Sequence, residues 1–199
     1  RLPENPFLQQ VENESTGFSE EKIKLPEKML STDKAYSWGE INKWLERITK
    51  FSEEINYPLN SIQIKGTAKL DGFAGFDDGV KLYTRGDGKK GSDISRVFER
   101  GLGIFNDSER GQGPGEIVVK RSYFEKHLSN HFEYPRNFQA SLIKEKELDK
   151  FAIDAIRNKA ALFVPFTQLP QWLGSINEFS DQFLDIVNLL EEGVDFDID

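Results

Sequence analysis

The sequence predicts an α+β fold in which antiparallel sheets are flanked by helices. Apolar residues recur at helical spacing behind serine caps in two separate stretches, after Ser37 and after Ser175. Between them, short alternating runs are divided by glycine- and aspartate-rich turns instead of regular helices. Hairpins and short helical links of this kind favour antiparallel pairing over the βαβ repeat of a doubly wound sheet.

The elements follow in order. Residues 1–25 mix Pro, Glu, Asn and Ser with isolated apolar residues and read as a lead-in arm, with the domain expected over 26–199. Ser37-Trp38-Gly39-Glu40 is a capping box. Behind it Ile41, Trp44, Leu45, Ile48 and Phe51 form the apolar stripe of a helix that ends before Tyr57-Pro58. Ile62, Ile64 and Leu70 mark a strand-rich run that continues through Gly72–Phe76, and Asp77-Asp78-Gly79 turns it into a return strand over 80–84. A glycine-rich loop spans 85–93, and a short helix or turn follows from Asp93. After the breaker cluster 111–115 comes a strand at 116–120, then a capping box at Ser122–Glu125 that opens a helix to about Leu128. Tyr134–Asn137 reads as irregular and 144–160 as helical. Residues 161–166 read as a buried strand that Pro165 restricts to a sheet edge. Ser175–Glu178 caps a helix through Leu190, and Val194–Asp199 alternates like a strand.

Bulk properties narrow the chemistry. The 199 residues include no cysteine, which removes disulfides, thiol nucleophiles and thiolate metal sites. No apolar run is long enough to cross a membrane and no secretory pattern opens the chain, so the expected setting is the cytoplasm. The formal net charge of −8 argues that any hold on nucleic acid comes from a local basic face.

Lys69-Leu70-Asp71-Gly72 and Thr84-Arg85-Gly86-Asp87-Gly88 carry the reactive groups. A lysine amine is nucleophilic only when neutral, and an arginine with nearby glycines offers cationic and backbone donors to a phosphate. On a strand, Lys69 and Asp71 would share a face. Taken singly, each motif is matched as well by a surface Lys–Asp pair or a hairpin turn. The spacing Gly86 to Gly91 lacks the lysine of a Walker loop. Glu116 opens a strand where a carboxylate can meet a ribose hydroxyl or, through water, Mg²⁺. His127 and His131, four apart, read as a surface pair without a third ligand, and no metal site is expected.

The ordered set Lys-Leu-Asp-Gly, Thr-Arg-Gly-Asp-Gly-x-x-Gly-x-Asp-Ile, Gly-Glu before a strand, and Pro-Arg-Asn resembles the adenylation domain of NAD-dependent DNA ligases. So does the upstream segment Met29–Tyr36. The resemblance implies a nucleotidyltransferase (ATP-grasp-like) core. It makes Lys69 the residue that becomes AMP-linked, and it assigns Ser31, Thr67, Leu70, Arg85 and Glu116 to the nucleotide and Arg136 to DNA. NAD, Mg²⁺ and nicked DNA are the implied partners, with a second ligase subunit or further C-terminal domains completing the enzyme. Departures are Thr67 where the family usually has glutamate, Ser92 where it usually has glutamate in the loop, and Phe138-Gln139-Ala140 in place of a run of small residues after Pro-Arg-Asn. Residues 1–30 match nothing of the family's nicotinamide-gripping module, and the pattern stops at Asp199, before the phosphate-binding lysines, so the domain is expected to be C-terminally incomplete. Two alternatives stay open: a diverged, non-catalytic nucleotide- or DNA-binding subunit, and an ATP-dependent polynucleotide ligase core.

Overall fold

A computed structural model describes residues 22–144 and 147–199. Residues 1–21 of the expected lead-in arm lie outside the described residues. The strands are β1 Ile23–Lys24, β2 Gln63–Thr67, β3 Phe73–Asp77, β4 Leu82–Thr84, β5 Lys90–Gly91, β6 Gly103–Ile104, β7 Gly113–Val119, β8 Ala161–Pro165 and β9 Gln171–Ser175. The helices are α1 Trp38–Glu54, α2 Arg96–Glu99, α3 Arg121–Tyr123, α4 Pro135–Lys144, α5 Lys150–Arg157, α6 Ile176–Asp181 and α7 Phe183–Glu192. The mixed α+β composition is as expected. The chain divides into two compact units, one holding 22–31, 69–169 and 195–199, the other 32–68 and 170–194.

The first unit is built on a five-stranded sheet of order β4-β3-β7-β8-β6. Its pairs are antiparallel except β6 with β8. Alternation along β7 turns Ile117 and Val119 into a core shared with Phe138 and Leu142 of α4, Ala152 and Ala155 of α5, and Phe163 of β8. Pro165 does not make β8 an edge strand. It is the last residue of β8, and two residues of β6, Gly103 and Ile104, close the open side beside Leu162 and Phe163.

Three further expectations change for local reasons. Tyr134–Asn137 is not irregular, because Pro135 occupies the first helical position of α4, where its fixed φ fits and no amide is missed. Of the helix expected over 144–160, Lys144 is the last residue of α4 and the described helix is the shorter α5, which Asp149 caps by accepting from Ala152 N–H at 2.8 Å. Ser122 caps nothing: its N–H and Oγ both donate to the carboxylate of Asp195, at 3.0 and 2.6 Å, and a π-helical turn over Phe124–Leu128 continues from α3.

The second unit packs α1, α6 and α7 with the β2–β9 ribbon. Leu45, Ile64 and Ile176 form its core, and Phe179 meets the rings of Trp44, Trp172 and Phe183. Both expected capping boxes begin helices here. Ser175 and Glu178 make the reciprocal pair of bonds; at Ser37 the side chain accepts from Glu40 N–H, while the Glu40 carboxylate takes Tyr36 N–H instead. The expected long helix after Ser175 breaks at Gln182. No described helix is long and apolar enough to cross a membrane.

One buried charge closes the end of β3. Asp77 is 1% exposed and accepts from Arg110 Nε at 2.8 and 2.9 Å, from Arg110 Nη2 at 2.6 Å, and from the amides of Gly79 and Gly111. The Arg110 guanidinium also lies 3.9 Å from the centroid of the Phe98 ring. Removing one partner of such a pair leaves the other unsatisfied. Asp77→Ala is therefore expected to cost about 3 kcal/mol in urea unfolding, and a loss below about 0.5 kcal/mol would contradict this description.

Candidate functional site

Glu116 organises the site. Its register across the sheet sets one row: Val164, Glu116 and Ala74 lie side by side on β8, β7 and β3, and Arg85 N–H donates to Ala74 O at 3.2 Å. Alternation turns Glu116 and Val118 to the face opposite the helix-packed core. Over them runs the segment Lys69 to Gly72 of the same unit. Gly72 makes this close: a Cβ there would stand 2.4 Å from Ile117 O and 2.7 Å from both Glu116 Cγ and Val118 Cγ1. Any side chain at 72 would lift the Lys69 segment off the sheet.

The same segment is held from its other side by the end of the chain. Leu70 bridges Ile198 antiparallel, Asp71 N–H donates to Asp197 O at 2.8 Å, and Asp199 N–H donates to Lys69 O at 2.9 Å. The expected terminal strand is thus two isolated bridges, at Phe196 and at Ile198, which stitch 196–199 to Lys120 and Leu70. Its three aspartates do different work. Asp195 holds the start of α3, Asp197 has its carboxyl pushed up by burial, and Asp199 pairs with the Lys69 ammonium.

Lys69 and Asp71 do not pair with each other as a strand would have them. Asp71 instead accepts from Arg136 Nη1 at 3.4 Å, an exposed contact from the first turn of α4. Asp71 O accepts from Gln139 Nε2 at 3.3 Å. Gln139 is buried, and its Oε1 finds no partner among the described residues.

Electrostatics converge on Glu116. Burial pushes its carboxyl up to about 7, against the pull of Lys69, Arg136 and Arg85 and with a further push from Asp71. The structure therefore brings Lys69, Arg85, Glu116 and Arg136 around one desolvated carboxyl. Leu70 is buried beneath the lysine segment. Ser31 is half-buried, two residues beyond Met29, whose N–H donates to Gly88 O at 2.9 Å. Thr67 is exposed at the end of β2, opposite Gln171 in the second unit.

The glycine loop differs from expectation. Its amides serve the loop itself: Gly88 N–H donates to Arg85 O, Asp87 N–H to Lys90 O, and the Lys89 and Lys90 amides to Asp87 Oδ1. Gly86, at φ +53°, is required because a Cβ would meet Lys90 O at 1.9 Å. The loop is a hairpin turn that carries Arg85, with the amides of Asp87, Gly88, Lys89 and Lys90 spent on its own structure. His127 and His131 stack on Tyr123 and Phe151, and no group of three or more metal-ligating side chains occurs among the described residues.

Sequence reasoning missed Asp199 and Gln139 as parts of this site. The alternating aspartates at 195, 197 and 199 were a signal for the first, and the polar Gln139 within Phe138-Gln139-Ala140 for the second.

Residues 17–157 match the family described as the NAD-dependent DNA ligase adenylation domain. Over its full length the chain is 62% identical to a DNA ligase of Ruthia magnifica subsp. Calyptogena magnifica, of which it covers 32%. Over 99% of its length it is 63% identical to a DNA ligase of Vesicomyosocius okutanii subsp. Calyptogena okutanii and 50% identical to one of Shewanella baltica, covering 31% and 30% of those proteins. The chain spans about a third of the length of the curated relatives it matches.

Glu116 makes a pH signature that stability can read. Its folded midpoint lies above the ordinary 4.5, so the folded chain binds the proton more tightly than the unfolded one. Its contribution is complete below about 4.5 and lost as pH rises through about 7. Relative to Glu116→Gln, the native chain is expected to lose about 3 kcal/mol of unfolding free energy across that window. Parallel stability profiles for the two proteins would contradict a desolvated Glu116.

Proposed function

This chain belongs to the family of NAD-dependent DNA ligase adenylation domains, and from that premise we propose that Lys69 is the residue that accepts AMP from NAD. The observation that carries the reading is the desolvated carboxyl of Glu116, on which the charges of Lys69, Arg85 and Arg136 all act. We propose residues 26–199 as the body of the domain, nicked DNA as the eventual substrate, further ligase domains or a second subunit as partners, and the cytoplasm as the setting.

The chemistry is phosphoryl transfer. The Lys69 ammonium, held by Asp199, first loses a proton. Its lone pair then forms a bond to the α-phosphorus of NAD, and the bond from that phosphorus to the bridging oxygen breaks. Nicotinamide mononucleotide leaves with the electron pair, and the attacked nitrogen sheds a second proton to give lysyl-AMP. In ligation the AMP passes to the 5′-phosphate of a nick, and the 3′-hydroxyl displaces it.

The other residues bind and orient. Arg85 offers a planar cationic fork to the nucleotide from the rim of its hairpin. Glu116 stands half-protonated near neutrality, able to donate to or accept from a ribose hydroxyl at the floor of the site. Leu70 keeps the lysine segment anchored from below, Ser31 lines the approach behind the Arg85 turn, and Thr67 takes the nucleotide-side position that the family fills with glutamate. Arg136, exposed on α4, faces the DNA. Mg²⁺, when bound, would supply positive charge to the phosphates and would take most of its oxygens from phosphate and water.

Intact-protein mass after prolonged incubation with Mg²⁺ and either NAD or ATP tests the reading. The expected result is one AMP adduct with NAD, mapped to Lys69, absent in Lys69→Ala and strongly reduced in Arg85→Ala. An adduct with ATP alone would move the chain to the ATP-dependent ligases, and no adduct with either, even in a longer protein that restores the downstream phosphate-binding lysines, would leave the non-catalytic binding subunit.

A further inference from the structure

The chain is acidic overall, at formal net charge −8, yet one ribbon reverses that sign. β1 and β5 pair antiparallel, with Lys24 directly opposite Lys90. The pairing extends outward: Leu25 N–H donates to Lys89 O and Met29 N–H to Gly88 O, both at 2.9 Å. Lys24, Lys28, Lys89 and Lys90 are all exposed along this ribbon. Lys22, next in register, donates to Ser92 Oγ at 3.1 Å. Across 22–31 and 86–91 the acids are Glu27 and Asp87 alone, against five lysines. Asp87 is committed to the turn, its Oδ1 accepting the amides of Lys89 and Lys90 at 2.8 and 2.6 Å.

Such a ribbon is costly on its own. Like charges directly across a strand pair weaken it, and a two-stranded ribbon has few ladder bonds to spare. What holds it is its inner face: Ile23 and Leu25 pack with Met29, Phe76 and Tyr83. Alternation then turns Lys24 and its cross-strand partner Lys90 to the outer face, and Lys28 and Lys89 are exposed just beyond the two strands. Cross-strand neighbours stand about 5 Å apart at Cα, and the long lysine stems let each ammonium reach a separate phosphate. A polyanion laid across the ribbon converts the repulsion into binding.

We propose that the lysine ribbon built from Lys24, Lys28, Lys89 and Lys90 docks the phosphate backbone of duplex DNA. The choice of DNA rests on the ligase reading above. It is strengthened by continuity, because the hairpin that ends in Lys89 and Lys90 begins at Arg85, so a backbone held on the ribbon runs toward the nucleotide-binding residues. Contacts of this kind give affinity and register without sequence preference.

The test is fluorescence anisotropy of the chain on intact and nicked duplexes across a salt titration. The variant Lys24→Gln/Lys89→Gln/Lys90→Gln is compared with Lys43→Gln/Lys50→Gln/Lys65→Gln, which removes the same charge from exposed lysines of the other unit. The ribbon variant is expected to lose at least about tenfold in affinity at low salt. Its slope of log affinity against log salt should become shallower by about 2–3, roughly one per lost phosphate contact. The control should move neither. The proposal is overturned if the ribbon variant keeps native affinity and slope, if the control loses as much, or if the native chain does not bind duplex at low salt. AMP labelling of Lys69 is scored on the same proteins. Failure of labelling in all of them removes the transferase reading while the binding comparison still decides for or against the ribbon.

Discussion

The architecture of the site hangs on how closely the Lys69–Gly72 segment can lie on β7. With no Cβ at 72, the segment meets Glu116 and Ile117 at distances no other residue allows. That contact removes water from Glu116 and raises its carboxyl toward neutrality, and it sets Lys69 over the same row that ends at Arg85. Desolvation strengthens every charge interaction around it. Three cations acting on one buried acid therefore form a field suited to an incoming phosphate ester, while the acid keeps a proton available near neutral pH.

The end of the chain completes this seat from the other side. Residues 197–199 trade backbone bonds with Lys69 and Asp71, and Asp199 holds the ammonium. An ion pair of this kind favours the charged form of an amine over the neutral one.

Much of this was legible in the sequence, and the boundary is physical. Signals that depend on neighbours in the chain held: the Ser37 and Ser175 caps begin helices, and Asp77–Gly79 turns a hairpin. Lys69, Arg85 and Arg136, whose charges all act on Glu116, sit like it in short ordered motifs. Failures came where a distant partner decides. Ser122 looked like a cap until Asp195, 73 residues away, took its hydrogen bonds. Pro165 suggested an edge because the strand that covers β8 is two residues long and has no periodic signature. The Arg85 loop looked like a phosphate cradle because glycine spacing does not reveal that the amides are already spent. Asp199 and Gln139 reach the site only through contacts that close long stretches of chain.

The central claim is that Glu116 is a desolvated acid embedded among Lys69, Arg85 and Arg136. Carbon-13 NMR titration of the Glu116 side-chain carboxyl reads it directly, in the native chain and in Lys69→Ala. The account predicts a midpoint of about 7 in the native chain, rising further when the lysine charge is removed. A midpoint near 4.5 that ignores the Lys69 substitution would contradict it.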